Sequence, residues 1–68
     1  MIRLKVKEVA QAKGMSQGRL QRRADVDVKT IRKIYQNPYV IINTDTLDKL
    51  AKALDVDVRE LLESVPDE

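Results

Sequence analysis

The 68-residue chain contains no cysteine, histidine, tryptophan or phenylalanine. Without cysteine it can form neither disulfides nor thiolate metal ligands, and without histidine it has no imidazole base or metal ligand. No apolar run approaches the roughly 20 residues that a membrane span needs. The core must therefore come from aliphatic side chains, and we expect one small cytoplasmic domain over residues 1–68 without a metal or cofactor.

The same inventory argues against an enzyme. Ser16 has no plausible base to activate it, and Gly14 and Gly18 do not form a phosphate-binding loop. Asp55 and Asp57 resemble a metal-binding pair, but helix ends explain both better. We therefore predict no catalytic or metal site and infer no small-molecule ligand.

Charge is unevenly distributed along the chain, although the net charge is only +2. Residues 1–36 hold ten Lys/Arg and three Asp/Glu, a balance of +7, whereas residues 37–68 hold three and eight, a balance of −5. A dipolar molecule of this kind can present one end to a polyanion. The simpler explanation is that both halves are ordinary solvated helix faces.

Apolar spacing predicts an all-α fold of five short helices, at about 2–13, 17–24, 28–36, 44–54 and 58–64. The predicted caps and ends are Gly14 for the first helix, Ser16 for the second, Asp27 for the third with Asn37 in a left-handed exit before Pro38, Asn43 or Thr44 for the fourth, and a capping box of Asp57 and Glu60 for the fifth. No helix is long enough for a coiled coil, so the sequence favours a compact orthogonal bundle.

The second and third predicted helices, about residues 16–36, form a helix-turn-helix pattern. Such a pair can place one helix in the major groove of DNA while the other lies across the backbone. On the third helix, Lys29, Thr30, Arg32 and Lys33 are candidates for base contacts, Gln36 lies on the same outer side, and no acid separates them. On the second helix, Gln17, Arg19 and Arg22 are candidates for phosphate contacts.

Each of these assignments has a simpler alternative. Lys29, Arg32 and Lys33 could merely solubilise an amphipathic helix, and Gln17 could be an ordinary solvated residue. Arg23, the third arginine of the second helix, could instead lay its aliphatic stem on the core.

With these residues in place, the chain resembles the Cro/repressor-type (XRE-like) helix-turn-helix regulators, which include phage lambda-like repressors, over about residues 2–63. The matching residues are Lys13 to Gln17, Leu20, Val26, Thr30, Ile31, Ile34, Thr46, Leu47, Leu50 to Leu54, Val58, Leu61 and Leu62. The resemblance implies a five-helix lambda-repressor-like domain that binds double-stranded DNA sequence-specifically, usually as a dimer on a palindromic operator. It further implies that Gln17 contacts phosphate, that Val28, Lys29, Arg32 and Lys33 face the major groove, and that Asn37 lies near the backbone.

Three features depart from the pattern of that family. Gln21 replaces a small residue where the two helices pack, Asp25 replaces the usual turn glycine, and Ala10 and Tyr35 replace a common ion pair. We expect Gln21 and Asp25 to change the angle between the two helices slightly. The loss of the ion pair should be tolerated, because buried pairs often contribute little net stability. Val28 is apolar, so it could touch a thymine methyl group or belong to the core.

Residues 39–42 are unusually apolar for a loop, and they could cover the core or form a dimer contact. The apolar residues of the fifth predicted helix carry the same ambiguity. The primary hypothesis is a repressor-type transcriptional regulator that binds double-stranded DNA, with a possible homodimer and no membrane partner. The alternatives are an antitoxin or other protein-interaction module with secondary DNA binding, and a purely structural helical domain.

Overall fold

A computed structural model describes residues 1–67, which are mostly helical with one small antiparallel pair of strands. In chain order the elements are β1 (Ile2–Leu4), α1 (Val6–Ala12), α2 (Gln17–Ala24), α3 (Val28–Gln36), α4 (Thr44–Leu54), a 3-10 helix (Val58–Leu61) and β2 (Leu62–Ser64). The helices α2, α3 and α4 span the same residues as the second, third and fourth predicted helices.

The predicted helix over 2–13 is wrong at its start, because residues 2–4 form strand β1. The Leu4 amide donates to the Pro38 carbonyl (2.7 Å), and the Lys5 amide donates to the Leu61 carbonyl (2.8 Å). These partners hold the first backbone amides in extended chain, so helix α1 begins only at Val6. The Leu4 side chain reaches the core from the strand, where it is buried.

The predicted fifth helix over 58–64 is also wrong, since one 3-10 turn leads directly into β2. The capping box is present: Asp57 accepts from the Arg59 amide (2.9 Å), and Glu60 accepts from the Asp57 amide (3.2 Å). Beyond this turn the backbone pairs with the N-terminal strand instead of continuing as a helix. The described chain therefore has four α-helices and one antiparallel strand pair in place of five helices.

The two strands are antiparallel, and their register joins the two ends of the domain. Ile2 pairs with Ser64, Arg3 with Glu63 and Leu4 with Leu62; these pairs are the whole ladder between β1 and β2. The Arg3 guanidinium forms ion pairs with Glu8 of α1 and with Glu63 (3.0 Å). The hydrogen bonds that the guanidinium donates to these two carboxylates, Glu8 first, raise the pKa of Arg3.

A single cluster of buried aliphatic side chains holds the elements together. Its largest fully buried members are Val6, Leu20, Ile31, Leu50, Leu54 and Leu61, which come from all four helices and the 3-10 turn. No polar or charged side chain is buried in the described part of the chain. The helix pair α2–α3 is therefore fixed by apolar packing, as the aliphatic composition requires.

Side-chain caps define the starts of α2, α3 and α4. Ser16 accepts from the Arg19 amide (3.2 Å), Asp27 from the Lys29 amide (2.8 Å) and Asn43, rather than Thr44, from the Thr46 amide (2.8 Å). Gly14 has a φ of 69°, as expected for a residue that ends a helix. The predicted left-handed exit at Asn37 is wrong, because its φ is −138° and its side chain instead accepts from the Tyr39 amide (3.1 Å).

Candidate nucleic-acid interface

A three-residue turn, residues 25–27, sets the relation between α2 and α3. Asp25 adopts the left-handed conformation (φ 55°, ψ 48°), which reverses the chain at the end of α2. Val26 is buried, and Asp27 caps α3. Since Leu20 and Ile31 are both fully buried in the same core, the two helices are anchored from within while their outer faces stay open.

Helix α3 presents one continuous exposed face. Ile31 and Ile34 are buried, and Tyr35 is half-buried beside them. At about 100° per residue, the five exposed side chains occupy a single arc of roughly 140° around the helix. They are Val28, Arg32, Gln36, Lys29 and Lys33, in order around that arc.

Of the predicted base-facing residues, Thr30 differs from the others. Val28 is 43% exposed and therefore belongs to the exposed face rather than the core. Thr30 is half-buried at the edge of that face, where it lines a groove of about 250 Å³ with Lys33 and residues 40–43. Lys29, Arg32 and Lys33 are exposed.

The cations of α2 and α3 have no ion-pair partner within residues 1–67. The ion pairs there join Met1 to Asp67, Arg3 to Glu8 and Glu63, Lys49 to Asp45, Lys52 to Asp48, and Arg59 to Asp57. None of these pairs includes a residue of α2 or α3. The positive charge beside the α3 face is thus not neutralised by the chain's own acids.

The predicted phosphate-contacting residues of α2 do not share one side. Gln17 is half-buried in the first turn, whereas Arg19 and Arg22 are exposed. Arg19 and Arg23, four residues apart, line a groove with the ends of α1 and α4, and Arg22 is not part of that groove. Arg23 is exposed, and its groove neighbours include Ala53 and Leu54.

Gln36 and Asn37 lie at the other end of α3, and both are exposed. The side-chain oxygen Oδ1 of Asn37 accepts from the Tyr39 amide, which leaves the side-chain NH₂ group as the available donor. Apart from Val28 at its N-terminal end, the exposed face of α3 therefore has polar or cationic side chains.

A family model for the Cro/C1-type HTH DNA-binding domain matches residues 5–67. The chain belongs to this family. The resemblance drawn from the sequence is thereby confirmed, and the protein is a DNA-binding helix-turn-helix domain of a transcriptional regulator. No curated protein matches the chain significantly. None of the helices in residues 1–67 has the length and apolar character to cross a membrane.

In this Cro/C1-type domain, the positions that depart from the family pattern are accommodated locally. Ala10 is fully buried and Tyr35 packs against the core, so apolar contacts occupy the place of the usual ion pair. Burial raises the pKa of the Tyr35 phenol above its ordinary value. Gln21 is half-buried, and Asp25 takes the left-handed conformation that glycine would adopt more easily.

The apolar loop of the Cro/C1-type domain divides its side chains between the core and the surface. Val40 and Ile42 pack against the core, whereas Tyr39 is 45% exposed and Ile41 is 95% exposed. Tyr39 and Ile41 line a groove of about 480 Å³ together with Met1, Ile2, Leu4, Leu47 and Leu62. The loop thus covers the core with one set of side chains and presents an apolar surface with the other.

Sequence reasoning gave no role to Lys13, which lines the same groove as Arg19 and Arg23. The i, i+4 spacing of the two arginines places them on one side of α2, but only the fold brings Lys13 and the end of α4 to them.

Proposed function

We propose that this chain is a repressor-type, sequence-specific regulator that inserts α3 into the major groove of double-stranded DNA. The main supporting observation is the continuous exposed face of α3, whose cations Lys29, Arg32 and Lys33 have no ion-pair partner in residues 1–67. An α-helix fits the width of the major groove, and unpaired cations on its outer face gain from phosphates and base edges. The repressor role rests on the resemblance to Cro/repressor-type proteins.

Base contacts are assigned to the exposed face. Lys29 and Lys33 are four residues apart, so their ammonium groups can donate to the N7 and O6 acceptors of guanines on neighbouring base pairs. Val28, at the N-terminal end of the face, is suited to a thymine methyl group. Arg32 lies on the arc between Val28 and the two lysines. Thr30, at the edge of the exposed face, can donate to a base or a phosphate.

Phosphate contacts are assigned to the two ends of the helix pair. Gln17 lies in the first turn of α2, where the free amides and the helix dipole favour an anion. Arg19 and Arg22 of α2 add positive charge, and Gln36 and Asn37 supply donors at the far end of α3. If about four to six phosphates are neutralised, log K should fall with log salt at a slope of roughly −4 to −5.

A second copy of the chain is the partner that best fits the apolar surface around Tyr39 and Ile41. The neighbouring groove that holds Thr30, Lys33 and Ile41 joins this surface to α3. A two-fold axis through the surface would therefore place two α3 helices on one side of a dimer, as a palindromic site needs. A small specific interface buries about 600 Å² per partner, roughly an eighth of the 4724 Å² that one chain exposes.

The 95% exposure of Ile41 also supports the second candidate function, an antitoxin or other protein-interaction module. In that case the apolar surface would hold a different protein, and DNA binding would be secondary. A stable complex of defined stoichiometry with a genomically adjacent protein, in place of a homodimer, would favour this function.

Enrichment of random duplexes on the purified protein at physiological salt tests the proposal. We expect a preferred sequence, and on that duplex Lys33→Ala should weaken binding by about 1–3 kcal/mol, because a lysine that reads guanine supplies specific hydrogen bonds. The loss should shrink on duplexes in which the guanine is replaced. Lys49→Ala is the matched control, since Lys49 is an exposed lysine of α4.

No enrichment over random sequence would contradict sequence-specific binding. If Lys33→Ala weakened binding equally on every duplex, Lys33 would instead contact a phosphate and would not be one of the residues that contact bases.

A further inference from the structure

A cationic groove lies on the side of α2 that faces α4, in addition to the exposed face of α3. Its volume is about 280 Å³, and Lys13, Arg19 and Arg23 line it with Asp55 as its only acid. No residue of α3 contributes to this groove. It is therefore separate from the exposed face of α3 and from the base contacts proposed there.

The three cations of the groove are exposed, and they are unpaired within the part of the chain that the structure describes. None of them forms an ion pair with an acid in the described range, 1–67, whereas Lys52 at the end of α4 is paired with Asp48 (2.9 Å). The groove thus concentrates positive charge that the chain does not neutralise itself. Such a patch raises the local concentration of anions.

Helix stability explains two of these cations but not the third. Lys13 and Arg23 lie at the C-terminal ends of α1 and α2, where the helix dipole favours positive charge. Arg19 lies in the first turn of α2, three residues after the cap Ser16. An acid at that position would complete a capping box, as Glu60 does after Asp57.

A cation also occupies the first turn of the other helix of the pair, α3. Helix α3 also begins without an acid in its first turn and carries Lys29 there, on the face proposed for DNA. A residue that opposes its local helix preference without an evident structural gain is a candidate for function. The positive charge of Arg19 is therefore better explained by binding of an anionic ligand than by helix stability.

We propose that this groove holds the phosphate backbone of the DNA that flanks the site contacted by α3. The inference rests on the proposed function, and it extends the contact beyond the major-groove site. Residues 13–15 of the groove come immediately before Ser16 and Gln17, so a strand that meets the start of α2 can continue into the groove. Arg19 and Arg23 then lie about 6 Å apart along the helix axis and follow the strand.

A flanking-length experiment tests this assignment. Two duplexes are compared: the selected site alone, and the same site extended by about one helical turn, ~10 bp, on each side. The test variant is Arg19→Ala/Arg23→Ala. The control is Lys52→Ala/Arg59→Ala, which removes the same charge from α4 and the 3-10 turn.

We expect the wild type to bind the extended duplex with a salt slope steeper by about 2 than on the short duplex, because two more phosphates are neutralised. Arg19→Ala/Arg23→Ala should abolish this difference in slope. Because Arg19 is also assigned to the phosphate contacts of the short site, the variant should weaken binding to the short duplex as well, but by less than binding to the extended duplex. The control should keep the difference. Circular dichroism of each variant verifies that the helices are retained.

Equal losses on both duplexes would overturn the assignment, because they would place the arginines within the core site or reduce them to a general charge effect. Unchanged binding to the extended duplex would also overturn it and leave an acidic protein segment as the ligand that this charge selects. Failure of the wild type to bind any duplex would refute the proposed function itself, which separates the two conclusions.

Discussion

The left-handed backbone conformation of Asp25, in the turn between α2 and α3, can be tested by mutation. Its φ of 55° and ψ of 48° lie in the left-handed region, which glycine adopts without cost. An ordinary L-residue held there loses roughly 1–2 kcal/mol, and Asp and Asn lose less because their side chains bond locally. The turn is held by the Asp25 and Val26 amides, which donate to the Gln21 carbonyl.

The stability of variants at this position should follow the backbone preference. Asp25→Ala should lower the free energy of unfolding by about 1 kcal/mol, because alanine tolerates positive φ poorly. Asp25→Gly should raise it by about 0.5 kcal/mol, since relief of the strain exceeds the entropy that glycine gains in the unfolded chain. Asp25→Asn removes the charge but keeps the tolerance, so it should change stability little.

Urea and thermal unfolding measure this series. For a domain of this size 1 kcal/mol corresponds to a shift in Tm of about 4–8 °C, so Asp25→Ala should be clearly resolved. Asp55 ends α4 with almost the same angles (φ 56°, ψ 48°) and offers a second test of the rule away from α3. If alanine proved as stable as glycine at position 25, the left-handed geometry of the turn would be refuted.

Two further predictions concern the apolar surface and the 3-10 turn. Ile41→Ser should shift sedimentation equilibrium towards monomer without lowering Tm, because Ile41 is 95% exposed; an unchanged association constant, or a wild type that is already monomeric, would remove the proposed dimer surface. Hydrogen bonds from the Arg59 amide and guanidinium lower the pKa of Asp57 below its ordinary value of 3.8. The ionised carboxylate therefore stabilises the fold fully above pH 3.8, and this contribution is lost as the pH falls through the lowered pKa. Asp57→Asn should therefore make the loss of stability in acid shallower in urea unfolding, and an identical pH profile would contradict this.

Helices α2, α3 and α4 could be predicted because their signals are local. Each begins with a side chain that caps its own first turn, namely Ser16, Asp27 and Asn43. Each then repeats apolar residues at helical spacing, so neither signal depends on distant parts of the chain.

The strand pair could not be predicted in the same way, because Arg3 and Glu63 are 60 residues apart in the sequence. Three-residue strands are too short for a reliable alternation of apolar and polar residues. Ile2, Val6 and Val9 also fit a helical repeat, so local spacing favoured the wrong element. Only the pairing of the two chain ends, which satisfies the first amides and buries Leu4, decides for strands.

In the candidate site, too, features that depend on local sequence could be predicted, and features that depend on packing between distant elements could not. The exposure of Lys29, Arg32 and Lys33 follows from the periodicity of α3 alone and was predicted. The separation of Arg19 from Arg22 depends on where α4 and the end of α1 pack against α2, which a helical wheel does not contain. Likewise, Thr30 leaves the open face because residues 40–43 fold beside it.

The placement of the ion pairs bears on how DNA binding would proceed. On α4 the pairs Lys49–Asp45 and Lys52–Asp48 are local i, i+4 contacts, so acids and bases there neutralise one another. On α2 and α3 the cations have no such partner within residues 1–67. Binding a polyanion on those helices therefore requires no intramolecular ion pair to break, and the salt dependence of binding should report counterion release from DNA with little contribution from the protein's own pairs.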